Sequence, residues 1–524
     1  MSGQVGSPPY ALSRRLSRRA LLGAGTVAAL GAVPPLSRAA HAAPTALPSI
    51  QFDIEPFLAP PVRVSEPGAP AGGTLFLVGP TYTLFLTAVL RRAPGMADRA
   101  VLARALEMIE ARYRFAADGA FTHIAYGLPY FRRLPGRLVA DHMPRLAAEP
   151  HRAALEDAVP GPTDVHPANP GIGKRRFPVP VRLDADEVLF TIRSDHLGTV
   201  LGIAAWLRGS GRLGGRRHRS PAFGGLFGWT SSRLMFAGAG LPRRIADAQR
   251  LPYAEFVHPR SPTWMGFADL VVGAFAPAPV CTFQGTDVAR LTTEDGTGYF
   301  ADSAVQVLSH LILDLREWYL TNDTENTLRN RDVAYLERVQ YMYRPHDPPA
   351  FGHLDQFTDG GGPAFLPNAF NGVGDARAGL EFGSYQPADR IGAPPVVDTS
   401  HPILGHVSAL QRTSRTAGGT PLHIRIDGAG FDALDVPDGS RQPKLQFSAF
   451  VPTADFFRRM RISQASVDLS EEFSIESGDR GLEPRITATR RQNFLIPSRR
   501  HRAFPLLELA AHGTPTRPQW EDRP

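Results

Sequence analysis

Cysteine is almost missing from this chain: Cys281 is the single one in 524 residues. An internal disulfide is therefore excluded, stability has to come from packing, and the plain reading of Cys281 is a small buried side chain. Acidic residues are absent from the first 42 positions, which carry Arg14, Arg15, Arg18, Arg19 and Arg38. Removing those five arginines lowers the formal net charge from +7 to +2, so the body of the chain lacks the basic excess of a nucleic-acid binder. Long apolar runs are lacking too: Ala20 to Val33 is short for a bilayer span. There is no H-E-x-x-H, no G-x-S-x-G, no Walker loop and no C-x-x-C, so none of those motifs assigns a chemistry.

Glycine and proline are plentiful, at 50 and 49, which points to many loops and not to a helical bundle. At the N-terminus, Ser17-Arg18-Arg19-Ala20-Leu21-Leu22 resembles a twin-arginine export signal, with Ser13-Arg14-Arg15 overlapping it. Ala40-His41-Ala42 supplies small residues of the kind a signal peptidase reads. The expected organisation is a signal peptide over 1–42, a proline-rich arm over 43–70, an N-terminal domain over 71–260, a C-terminal domain over 261–510 and a mobile tail over 511–524.

Periodicity gives the elements. Thr74 to Val78 reads as a strand, Met96 to Tyr113 as a helix with Val101, Leu102, Ala105, Met108 and Ile109 on one face, and Phe121 to Tyr126 as a strand. Glu187 to Ile192, Leu197 to Leu207 and Arg233 to Ala237 repeat the strand–helix–strand pattern. Two such units predict an α+β fold with a ferredoxin-like antiparallel sheet and helices on one face. A second cycle follows. Val305 to Leu315 is a long strand, Arg331 to Tyr343 a helix and Lys444 to Val451 a strand, and Thr453 caps a further helix. Asn493 to Pro497 reads as an edge strand. The run Arg216-Arg217-His218-Arg219 reads as a solvated loop, and Gly428-Ala429-Gly430 and Gly360-Gly361-Gly362 as turn glycines.

Three short stretches carry a resemblance. Met265-Gly266-Phe267-Ala268-Asp269-Leu270 is similar to a G-x-x-D-G signature, with Gly266 and Asp269 matching and Leu270 in place of the second glycine. Glu294 to Tyr299, and the strand ending Asp314-Leu315-Arg316-Glu317-Trp318, are similar to the stretch that precedes a haem. Gly405-His406-Val407, followed by Leu422-His423-Ile424-Arg425, is similar to a proximal-histidine and distal-arginine segment. Together they resemble the dye-decolorising peroxidase superfamily, as a divergent branch, over roughly residues 70–505.

That resemblance implies tandem ferredoxin-like halves of the dimeric α+β barrel kind, with one haem b in the C-terminal half. It implies His406 as the iron ligand, with His423 and His401 as alternatives, and Gly266 and Arg425 beside the cofactor. A neutral imidazole suits haem iron, whereas a Cys281 thiolate has no supporting neighbour. Asp269 would shuttle the peroxide proton, and a carboxylate with its ordinary pKa near 4 would favour acid conditions. Arg425 would stabilise anionic charge and hold a propionate. Leu270 puts bulk where a glycine would let backbone approach the haem. Trp318 and Tyr319 read as core aromatics.

The leading expectation is an exported haem peroxidase, periplasmic or extracellular. Its partners would be hydrogen peroxide, an organic reductant and the twin-arginine export machinery, with no nucleic acid; a homo-oligomer is compatible with it. A haem-binding protein with little peroxidase activity is the second reading, and a ferredoxin-like interaction protein without haem the third.

Overall fold

The structure is a computed structural model. It describes residues 46–58, 62–64, 74–76, 79–257 apart from 175, 222 and 239, then 263–265, 276–285, 290–319, 422–465 and 483–511.

Eight antiparallel strands close into a barrel: β1 Tyr82–Leu90, β2 Phe121–Gly127, β3 Val188–Ser194, β4 Phe227–Phe236, β5 Ala304–Leu313, β6 Ile424–Asp432, β7 Gln442–Val451 and β8 Ile486–Ile496. Around the barrel the order is β5-β7-β6-β4-β1-β3-β2-β8, and β8 pairs back onto β5. Within each half the fourth strand lies beside the first, the first beside the third and the third beside the second. The halves meet at two short seams, Ala429 against Phe236, and Phe494 and Leu495 against Gly127 and Tyr126. Closure leaves no long free edge among these strands, which removes the usual route to strand-edge aggregation.

Period-two alternation sets the two faces. On β1, Leu84, Leu86, Ala88 and Leu90 enter the large outer core, while Phe85 enters the inner one. The outer core lies under helices α1 (Met96–Arg112) and α2 (Leu197–Leu207) in the first half. In the second half it lies under α3 (Leu315–Tyr319) and α4 (Ala454–Ala465). Helix α1 buries Leu102, Ala105, Leu106 and Ile109 at helical spacing, and the Asp98 carboxylate accepts the Gly95 N–H at 2.8 Å to hold its first turn. The Thr453 hydroxyl accepts the Phe456 N–H at 2.9 Å and starts α4 as expected. The helix expected over 331–343 lies outside the described residues.

Five expectations change. The barrel strand that opens the first unit is β1, while Thr74–Phe76 pairs with Val62–Val64 as a separate hairpin. Asn493 to Pro497 is no edge: it is the end of β8, bonded on both sides by β5 and β2. Gly428 and Gly430 sit inside β6 and not in a turn, because a Cβ at Gly428 would lie 2.8 Å from Met235 Cγ and one at Gly430 3.1 Å from Gln446. The long strand expected to run on through Asp314 to Trp318 ends at Leu313, and Leu315–Tyr319 is helix α3. Finally, the proline-rich arm is tied into the barrel. Gln51 donates from Nε2 to the Ile124 carbonyl (3.0 Å) and the Pro497 carbonyl (2.7 Å), and its Oε1 accepts the Ile124 N–H at 3.1 Å. Its amide thus bridges β2 to the residue that follows β8. Phe52 stacks on Phe450 at 4.3 Å in the same barrel end.

Candidate functional site

Strand β6 carries the one sequence-predicted site residue among the described residues. Ile424 and Ile426 belong to the inner core, whereas Ala429 and Phe431 belong to the outer core, so alternation turns Arg425 and Asp427 outward. Arg425 is half-buried and stands opposite Ala449 of β7, while Asp427 is exposed. The guanidinium is therefore mounted on a largely apolar outer wall that includes Phe431, Phe447 and Ala449. His406, Asp269, Gly266, His401 and Leu270 lie outside the described residues. His423, the second histidine considered, is wholly buried at the start of β6.

The described residues on each side of the Gly266–Asp269 run both touch β6 or the residue leading into it. Trp264 donates from Nε1 to the Gly430 carbonyl at 2.8 Å, and Ala276 N–H donates to the His423 carbonyl at 3.3 Å. Helix α3 fixes the first of these anchors: Trp318 Nε1 donates to the Met265 carbonyl (3.2 Å) and the Tyr319 hydroxyl to the Trp264 carbonyl (2.7 Å). Both aromatics are buried, in keeping with core positions. The Cys281 thiol is buried and burial pushes its pKa well up, so it stays protonated. The Glu294–Tyr299 stretch folds on itself, with the Glu294 carboxylate accepting the Gly296 and Gly298 N–H groups at 3.0 and 2.9 Å.

A second group of titratable residues fills one end of the barrel lumen, and sequence reading did not single it out. The His310 ring sits between Asp432 (3.6 Å) and Asp435 (3.5 Å), with Thr489 Oγ1 at 3.0 Å from Nδ1. Lys444 donates to the Leu434 carbonyl at 2.8 Å and stands 3.8 Å from Asp432. Burial lowers the Lys444 pKa to about 8, with Asp432 and Asp435 opposing that shift. Burial alone would raise Asp432, but the His310 ring and the Lys444 ammonium outweigh it and hold the carboxyl below its usual range. Farther along the lumen, burial and the Arg193 charge push His123 well below the ordinary histidine pKa, so its ring is neutral at pH 7. The available signal was polar residues on alternate positions of hydrophobic strands: Gln306 and His310 on β5, Lys444, Gln446 and Ser448 on β7. On a strand buried on both faces these mark an inner face.

The lumen is crossed by side chains. Gln306 of β5 donates from Nε2 to Thr191 Oγ1 of β3 (3.0 Å) and to Ser448 Oγ of β7 (3.2 Å), and the phenyl rings of Phe85, Phe450 and Phe494 fill the other end. An eight-stranded barrel is about the size that side chains alone can fill. Chemistry on a bound cofactor accordingly has to be sought on the outer face.

A family of unknown function, DUF7405, has a model that matches residues 80–332. No curated protein matches the chain. Among solved structures, the encapsulated DyP-type peroxidase from Mycobacterium smegmatis is similar at 13% identity and a TM-score of 0.39, covering 87% of this chain and 99% of that one. A DyP-type peroxidase from Cellulomonas bogoriensis is similar at 14% identity and a TM-score of 0.44, over 84% and 98%. A DypB variant from Rhodococcus jostii RHA1 in complex with heme is similar at 13% identity and a TM-score of 0.40, over 81% and 94%.

Proposed function

We propose that this chain is an exported haem-binding peroxidase of the dye-decolorising type, built from tandem ferredoxin-like halves, with its cofactor against the outer face of the C-terminal half. The strand order repeated in the two halves supports the tandem reading. The observation that carries the functional reading is the setting of Arg425. A guanidinium stands on an apolar outer wall, on the strand to which the described residues flanking the Gly266–Asp269 run are hydrogen-bonded. The guanidinium suits a haem, since it can hold a propionate in a bidentate pair. The protonated Cys281 thiol leaves imidazole as the better iron ligand, and His406 is the residue assigned to it.

When bound, haem supplies the redox chemistry. The chain's own residues do the rest. His406 would hold the iron, Asp269 would take a proton from one peroxide oxygen and return it to the other, and Arg425 would hold anionic charge without losing its proton. Hydrogen peroxide and an organic reductant are the substrates on this reading. Export by the twin-arginine route would deliver the folded, loaded protein outside the cytoplasm.

The test is spectroscopic and kinetic. Protein purified after export should show a Soret band, and His406→Ala should abolish it while the far-ultraviolet dichroism stays unchanged. Asp269→Asn should keep the band and lose peroxide-dependent dye oxidation, and Arg425→Ala should slow turnover more than it weakens haem retention. Retained haem in His406→Ala removes that residue from the site. A haem-binding role with little turnover is favoured by one feature, Leu270 in place of the motif glycine. It is the outcome if the band is present and the wild-type protein shows no peroxide-dependent dye oxidation, whereas unchanged oxidation in Asp269→Asn removes that residue from the mechanism.

A further inference from the structure

A cavity of about 300 Å³ lies between α4 and the outer face of β5 and β8, away from the Arg425 wall. Ser309 and Arg491 form part of its floor, the loop from Ala158 to Pro162 one wall, and Phe457, Arg458 and Arg461 of α4 the other. Its volume is at the lower end of the range for small-molecule sites.

The lining is split by chemistry. Val159, Pro160, Pro162, Phe457 and Ile462 give an apolar surface, and Val159 is one of the few large hydrophobic side chains exposed among the described residues. Opposed to it are Arg458, Arg461 and Arg491. The two acids in the wall are both held by arginines that do not line the cavity. Glu156 is bidentate to Arg152 at 2.8 and 2.7 Å, and Asp157 pairs with Arg132 at 2.6 Å. The cationic side is held differently. Arg491 is buried, donates Nε and Nη2 to Asp164 at 2.6 and 2.8 Å and Nη1 to Ser309 Oγ at 3.0 Å. Arg461 reaches the two Glu483 oxygens only at 3.4 Å each, longer than a close charge-assisted pair. Arg458 places both Nε and Nη2 on a single oxygen of Asp455. A guanidinium has five N–H donors, and Arg458 spends two of them on one oxygen, so it can take a further acceptor without releasing Asp455.

We propose that this cavity binds a small organic carboxylate with an aromatic or bulky apolar body, the body against Phe457 and the prolines and the carboxylate on Arg458, within reach of the Arg461 and Arg491 charges. A single negative charge fits best. A doubly charged group would meet Asp164 and Glu483 behind the arginines and has no use for the apolar wall. The inference is independent of haem.

Calorimetry on the mature protein with 1-naphthoate, 1-naphthamide and inorganic phosphate tests it. One 1-naphthoate should bind per chain, at least tenfold tighter than the uncharged amide, and phosphate should not compete. Arg458→Gln, at a partly exposed position, should weaken 1-naphthoate about tenfold and leave 1-naphthamide unchanged. Ala158→Trp at the rim should block both. Absence of saturable 1-naphthoate binding, equal affinity for acid and amide, competition by phosphate, or unaltered binding in Ala158→Trp would each overturn the proposal.

Discussion

Gln51 is the position where a single amide does most for barrel closure, and its replacement can be worked through. Strands β2 and β8 share only two directly paired positions, and beyond them the Gln51 side chain takes the place of a peptide. Gln51→Ala strands three buried backbone groups: the N–H and carbonyl of Ile124 and the carbonyl of Pro497. At about 1–3 kcal/mol for each unsatisfied group, with partial relaxation, the loss should be about 3–5 kcal/mol. Gln51→Glu is more informative. A carboxylate can accept the Ile124 N–H, but it faces two carbonyl oxygens where the amide donated, so it must be protonated to fit. Its folded pKa is then raised above the unfolded value near 4.3. Stability of the variant is fully present below pH ~4.3 and is lost as pH rises toward the folded pKa, by up to about 1.4 kcal/mol per unit. Urea unfolding followed by tryptophan fluorescence at pH 4, 5.5 and 7 should show Gln51→Glu close to wild type at pH 4 and falling behind it by about 2–4 kcal/mol at pH 7. A Gln51→Glu deficit that does not change with pH, or a Gln51→Ala loss under ~1 kcal/mol, would refute the role given to the amide.

Lys444 titrates in the opposite sense from a salt-bridged lysine. Its folded pKa of about 8 lies below the unfolded value near 10.4, so its charged form is disfavoured by folding and wild-type stability should gain from this group as pH climbs from 8 to 10. Lys444→Met should remove that gain, read as the difference between the two proteins' urea midpoints at pH 7.5 and 9.5. Gly428→Ala puts a methyl 2.8 Å from Met235 Cγ and should cost about 1–3 kcal/mol. The double variant with Met235→Ala should recover part of that loss, and strictly additive losses would show that the two do not meet in the lumen.

Elements held by their own periodicity were legible in the sequence. Leu197–Leu207 is the helix expected there, and α1 differs by one residue at its end. What was not legible depends on partners far along the chain. Around β8 only Asn493 to Pro497 reads as strand, and the middle of β8 carries Arg490 and Arg491, which Asp435 and Asp164 neutralise from 55 and 327 residues away. The arm around Gln51 has no periodicity because its contribution is one amide and one phenyl ring. Gly428 and Gly430 read as a turn because the side chains that require their bareness, Met235 and Gln446, belong to other strands. At the site, period two gives the outward face of Arg425 once β6 is known, while the roles of His406 and Asp269 rest on their resemblance to a motif.

The filled lumen narrows where ligands can sit. Gln306 spans from β5 to β3, and Phe52 and Gln51 are set into one end, so among the described residues the lumen is occupied largely by side chains. Ligands are left the outer faces, where helices lie on the sheet. In the C-terminal half α4 divides that face: Phe457 stacks against Phe447 of β7 at 5.8 Å and also lines the cavity over β5 and β8. Arg425, on β6, stands on the β7 side of this divide. Two ligands could therefore occupy the same sheet without competing, a cofactor over β6 and a small carboxylate over β5 and β8. The experiments keep them apart, since His406→Ala should leave 1-naphthoate binding intact and Ala158→Trp should leave the Soret band intact. Loss of both in either variant would mean that α4 is not a divider and that the two faces form one site.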